Sequence, residues 1–106
     1  MSQVPKRFLK FTEVYPKVSK AYEELGNAVH AAGSLDEKTR ALIKLAISTG
    51  ARLEGAVHSH TRKAIKARCT PEEMHQVALL SLPTIGLPSM MAALSWIDDI
   101  LEDDKK

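Results

Sequence analysis

Thr70-Pro71-Glu72-Glu73 fixes a helix start more firmly than any other stretch of this chain. Thr70 can cap the first turn with its hydroxyl. Pro71 fits the first helical position, where its missing amide costs nothing, and Glu73 can reach back to the capping residue's own amide. Met74, Val77, Ala78 and Ser81 then recur at helical spacing, widened by Leu79, Leu80 and Leu82, so this helix is expected to be largely buried.

The same reasoning runs through the rest of the chain. Val4, Phe8, Leu9 and Phe11 suit a short first helix. Pro16 suits the start of a second, in which Val18, Tyr22, Leu25, Val29 and Ala32 repeat and Gly33 is the expected stop. Ser34-Leu35-Asp36-Glu37 has the form of another capping box, with Ser34 as the cap. It leads into a helix carrying Leu42, Ile43, Leu45, Ala46 and Ile47, apolar over most of its circumference and so expected to be central. The stretch Ala51 to Ala67 suits a helix with small apolar residues, and Gly55 is a mild breaker within it. Pro83 to Pro88 should interrupt the helical run before a last helix through Met90, Met91, Leu94, Ile97 and Leu101, flanked by Trp96 and Ile100. That helix ends in Asp98, Asp99, Glu102, Asp103 and Asp104, which oppose the helix dipole and predict either fraying or a basic neighbour. No segment alternates long enough for a strand, so the fold class is all-α.

At 106 residues one domain over 1–106 is expected. Several helices are apolar on more than one face, more than a domain of this size hides alone, which predicts oligomerisation through helices. A net charge of +2 is too small to imply nucleic acid, and the few aromatic residues offer no base-stacking surface. No apolar run reaches membrane or signal length, so no membrane partner and a cytoplasmic location are expected. Cys69 is the only cysteine, which excludes an intrachain disulfide, a CxxC pair and a cysteine-based zinc site.

The chemistry concentrates in Arg52 to Ala64, where His58 and His60 lie two residues apart. Two steps on an α-helix turn roughly 200°, so the two imidazoles face apart and cannot serve one ion from one regular helix. Glu54 and His58, four apart, share a face. They can form an acid–base pair, or simply an exposed contact worth a few tenths of a kcal/mol. A metal would need a third ligand; His30 and His75 are present, but no spacing ties them to the pair, and no metal or other cofactor is expected. Arg52, Arg62, Lys63, Lys66 and Arg68 make this helix basic, and Arg40 and Lys44 lie on one face of the preceding helix. One or two of these cations, Arg40 and Arg62 foremost, would suit a small anionic substrate, although a solvated face accounts for such charges equally well. Met90, Met91 and Trp96 could wall a pocket or be plain core.

From Leu35 to Leu94 the chain resembles the carboxymuconolactone decarboxylase family, with its AhpD-like all-α fold. Leu35-Asp36-Glu37-Lys38-Thr39-Arg40-Ala41-Leu42-Ile43 is similar to the family's entry into its central helix, and Leu45-Ala46-Ile47-Ser48 to the segment that follows. His60-Thr61-Arg62-Lys63-Ala64 resembles its motif helix; Thr70 to Met74 and Pro83 to Ala93 resemble two later segments. The resemblance implies five to six helices and a homo-oligomer, trimer or hexamer. It also implies that His60 is a proton-transfer residue, for which Glu54 and His58 are further candidates. In the alkylhydroperoxidase branch two cysteines precede the motif histidine by seven and four positions; here those positions hold Leu53 and Ala56. That branch's proton-relay glutamate falls on Ala41 and a further histidine on Gly55. Thiol–disulfide exchange needs the thiols, so peroxidase activity of the peroxiredoxin type is disfavoured. The decarboxylase branch, which lacks the cysteine pair and acts on a small anionic lactone acid, is the nearer relative. Two expectations stand: a lyase-like enzyme for a small carboxylate-bearing molecule, or a non-catalytic oligomer that binds a small ligand or partner.

Overall fold

A computed structural model describes residues 4–105. All its regular elements are α-helices: α1 Lys6–Val14, α2 Pro16–His30, α3 Glu37–Gly50, α4 Glu54–Lys66, α5 Pro71–Ile85 and α6 Leu87–Asp104. They divide into two compact units, one holding α1 and α2, the other α3 to α6. None of the described helices is long and apolar enough to cross a membrane.

In the first unit a tilted ladder of rings, Phe8 on Phe11 and Phe11 on Tyr15, runs along α1 to the turn. Tyr15 there donates its amide to Phe11 and precedes Pro16 at the start of α2. The α2 stripe Val18, Tyr22, Leu25 and Val29 is exposed, and α2 ends at His30, before the expected Gly33.

The second unit is a four-helix ring. α3 packs on α4 and α5, and α6 packs on the same two, so the order around the ring is α3, α4, α6, α5. The core is Leu45 from α3, Val57 and Ala64 from α4, Met74 and Ala78 from α5, and Ala93, Ile97 and Leu101 from α6. Ala64, Ala78 and Ala93 are fully buried; residues this small let the helix backbones approach closely. Thr61, also fully buried, returns its hydroxyl to the Val57 carbonyl at 2.7 Å and so costs the core no unmet donor.

Local signals set the helix ends. At α5 the capping box forms in full: Thr70 Oγ1 accepts from the Glu73 amide, and Glu73 Oε1 accepts from the Thr70 amide. At α3 the cap is Asp36, not Ser34; its carboxylate accepts from the Thr39 amide at 2.7 Å. A charged acceptor two residues further on meets the positive helix end more strongly than a hydroxyl does. α4 is bounded by two turns of the same design. Arg52 N–H donates to Thr49 O and Leu53 N–H to Ser48 O; Arg68 N–H donates to Ile65 O and Cys69 N–H to Ala64 O. Both are Schellman turns, and both place an arginine, at φ 60° and 69°, where glycine is usual. The first turn also corrects the expected helix over Ala51 to Ala67, because the chain reverses before α4 begins at Glu54.

Two further corrections concern α5 and α3. Pro83 does not interrupt α5, which continues to Ile85. Pro83 stands in the last turn, where it removes only one ladder bond, and the break comes at Gly86 with φ 97°. Neither helix is buried as widely as its sequence suggests. Ile43 and Ile47 on α3, and Leu79, Leu80 and Leu82 on α5, are exposed, because each helix in the ring has neighbours on one side only. Of the expected apolar wall, Met90 is buried, Trp96 is half-buried against the core and Met91 is exposed.

Candidate functional site

α4 carries the candidate residues, and its two flanks face different helices. Val57, Thr61 and Ala64 form its inward stripe. His58 lies to the α6 side, where its Nε2–H donates to Asp99 Oδ2 at 3.0 Å. His60 lies to the α3 side, half-buried, and the cations acting on it are Lys63, one turn along α4, and Lys44 on α3. The divergence of the two histidines thus follows the helical geometry expected from their spacing.

Three seams of the ring carry a contact between a carboxylate and a basic side chain. Lys38 pairs with Glu73 at 2.9 Å between α3 and α5, His75 with Asp98 at 2.6 Å between α5 and α6, and His58 with Asp99 between α4 and α6. The acidic end of α6 therefore has basic neighbours, one of the two outcomes its sequence predicts. At the α3–α4 seam the charges of Lys44 and Lys63 both act on His60, and Lys44 also acts on Lys63. Burial, reinforced by Lys63 and Lys44, pushes the His60 imidazole down to about 4. The Lys63 ammonium is also held below its ordinary value, by partial burial first and then by Lys44, Arg62 and Lys66.

Arg40 and Arg62 flank this seam on α3 and α4. Arg40 is half-buried in the first turn of α3, and its charge helps hold the Asp36 carboxyl low, after the hydrogen bonds from Thr39. Arg62 is half-buried and acts on Lys63. The charges that act on His60 are those of Lys44 and Lys63.

Leu53 caps α4 and is exposed, and Ala56 in the first turn is half-buried. With His60 they follow one flank at spacings of three and four, so the face that carries thiols in the redox branch carries none here. Cys69 sits at the opposite end of α4, buried, its thiol 3.8 Å from the Lys38 carbonyl. Burial, and Glu73 after it, push that thiol up, which makes it a poor nucleophile.

Glu54 and His58 share a face as their spacing requires, and Asp99 joins them: one donor atom of each lies within 4.8 Å of the others. Asp99 could not be matched to this pair from the sequence. The one signal was the acidic end of α6, which called for a basic neighbour without saying which.

Comparison with known proteins agrees with this architecture. A protein from Haemophilus influenzae described as uncharacterized is 40% identical over 63 residues, which is 59% of this chain and 56% of that protein. The chain thus aligns with little more than half the length of this relative. The crystal structure of an apo carboxymuconolactone decarboxylase family protein from Legionella pneumophila superposes with a TM-score of 0.77 at 26% identity, covering 91% of this chain and 86% of that one. The model of the carboxymuconolactone decarboxylase family matches residues 16–99, and the chain belongs to that family.

Proposed function

We propose that the chain is a lyase-like enzyme for a small carboxylate-bearing molecule, with His60 as its proton-transfer residue and Lys44 and Lys63 as anion anchors. The observation that carries this reading is the α3–α4 seam, where two lysines from different helices act electrostatically on one half-buried histidine. Like charges held together disfavour one another, and a bound carboxylate offsets both. Partial burial makes that attraction stronger than it would be in open water.

The family and the residues present support the reaction type. Loss of CO2 from a carboxylate breaks a carbon–carbon bond and leaves its electron pair on carbon, delocalised into an adjoining conjugated carbonyl. The lysines stabilise the negative charge as it moves; the bound carboxylate offsets the two lysine charges that help hold His60 low, so the imidazole can take a proton from water and pass it to carbon to close the new C–H bond. Thiol–disulfide chemistry has no pair of thiols in this chain to run on.

The test is CO2 release from a panel of small lactone carboxylates, comparing wild type with His60→Gln. General acid–base catalysis contributes roughly 10²- to 10⁴-fold, so turnover should fall by that much while the circular dichroism stays unchanged. Equal turnover by the variant overturns the assignment. A second reading, a non-catalytic oligomer that binds a small anion, is supported by the exposed apolar faces of α3 and α5. It predicts that wild type binds small dicarboxylates, that Lys44→Ala and Lys63→Ala weaken that binding, and that no panel member is turned over.

A further inference from the structure

We propose that Glu54, His58 and Asp99 form a binding site for one divalent transition-metal ion of the Zn²⁺ type. The three side chains come from two helices that pack together, so the fold and not one flexible segment brings them into register. Glu54 opens α4, His58 follows one turn later on the same face, and Asp99 reaches them from α6. His58 Nε2 and Asp99 Oδ2 are already 3.0 Å apart, and a Glu54 oxygen completes a set within 4.8 Å.

The chemistry of the donors selects the ion. Zn²⁺ binds imidazole nitrogen and carboxylate oxygen at about 2.0–2.2 Å, which sets donors on one ion roughly 3.3 Å apart in a tetrahedron. The His58–Asp99 separation is close to that. Glu54 is exposed and long, so a change of side-chain rotamer closes the remaining distance. Two carboxylates and a neutral imidazole match the charge of a divalent cation, and the imidazole favours a transition metal over Mg²⁺ or Ca²⁺. Asp99 and Glu54 both lie open to solvent, so water can fill the remaining coordination positions.

His75–Asp98, on the neighbouring seam, is a control supplied by the molecule itself. It offers the same imidazole and carboxylate in direct contact, but among the described residues no third donor joins it.

The experiment uses untagged full-length protein dialysed against chelator, then titrated with ZnCl2 by calorimetry and followed by NMR of the histidine rings. We expect one equivalent to bind and the His58 ring signals to move. Glu54→Gln should weaken binding at least tenfold; Glu54 makes no hydrogen bond to the core, so this variant tests the site without threatening the fold. His58→Gln and Asp99→Asn should abolish binding, and His75→Gln should leave it unchanged. No stoichiometric binding by wild type overturns the proposal. So does undiminished binding by Glu54→Gln and His58→Gln, or a loss in His75→Gln that matches the loss in His58→Gln.

Discussion

Arg52 and Arg68 hold a backbone conformation that costs an L-residue roughly 1–2 kcal/mol and costs glycine almost nothing. Each is also a cation at the C-terminal end of a helix, where the dipole returns part of that cost. Arg68→Gly should therefore raise stability by up to about 1 kcal/mol in urea denaturation, the relief of strain outweighing glycine's greater freedom when unfolded. Arg68→Ala should give no such gain, since alanine meets the same strain. A loss of stability in Arg68→Gly would mean that the guanidinium contributes more than the strain removes. The end of α3 at Ser48-Thr49-Gly50 was legible in the sequence, but the left-handed turns at Arg52 and Arg68 were not, because no glycine stands at either position. The separation of His58 from His60 was legible, because it depends only on helical rise and turn. Asp99 as the partner of His58 was not: forty-one residues separate them, and only the packing of α6 on α4 brings them together.

Among the elements, α5 shows how far local rules reach. Its N-terminal box formed as its four residues predict, and one carboxylate there does two jobs: Glu73 Oε1 closes the box while Oε2 pairs with Lys38 on α3. The Thr70 amide and then Lys38 hold the Glu73 carboxyl below its ordinary 4.5. A depressed carboxylate contributes stability that is fully present above its unfolded value and is lost as pH falls through its folded one. Wild type should thus melt higher than Glu73→Gln at pH 7, and the gap should close as pH falls below 4.5, read by thermal melts from pH 7 to 3. A gap constant across that range would show that the contribution is not ionic. At α3 the local rules mislead by two residues, because Ser34 with Glu37 matches the capping-box pattern while Asp36 brings the stronger, charged acceptor. Pro83 misleads in the other direction: α5 runs two residues past it, to Ile85, and the break comes at Gly86.

At the scale of the molecule, large apolar side chains lie exposed on both units. Ile47, Leu79, Leu80, Leu87 and Met91 are all at least half exposed on the four-helix ring, and Val18, Tyr22, Leu25 and Val29 are so on α2. We expect a trimer or hexamer in solution, assembled through these faces. Leu80, 63% exposed, can be changed without opening the core. Leu80→Glu should lower the particle mass measured by light scattering, with helix content unchanged. Unaltered mass would place the interface elsewhere.

The last consequence lies in the two consecutive aspartates of α6. One residue turns a helix by about 100°, close to the corner angle between the two neighbours of a helix in a ring of four. Asp98 and Asp99 therefore meet α5 and α4 separately, and the two contacts together favour one rotation of α6 about its own axis. Loss of a single residue upstream in α6 would turn both carboxylates out of their slots at once, while leaving the composition of the helix almost unchanged.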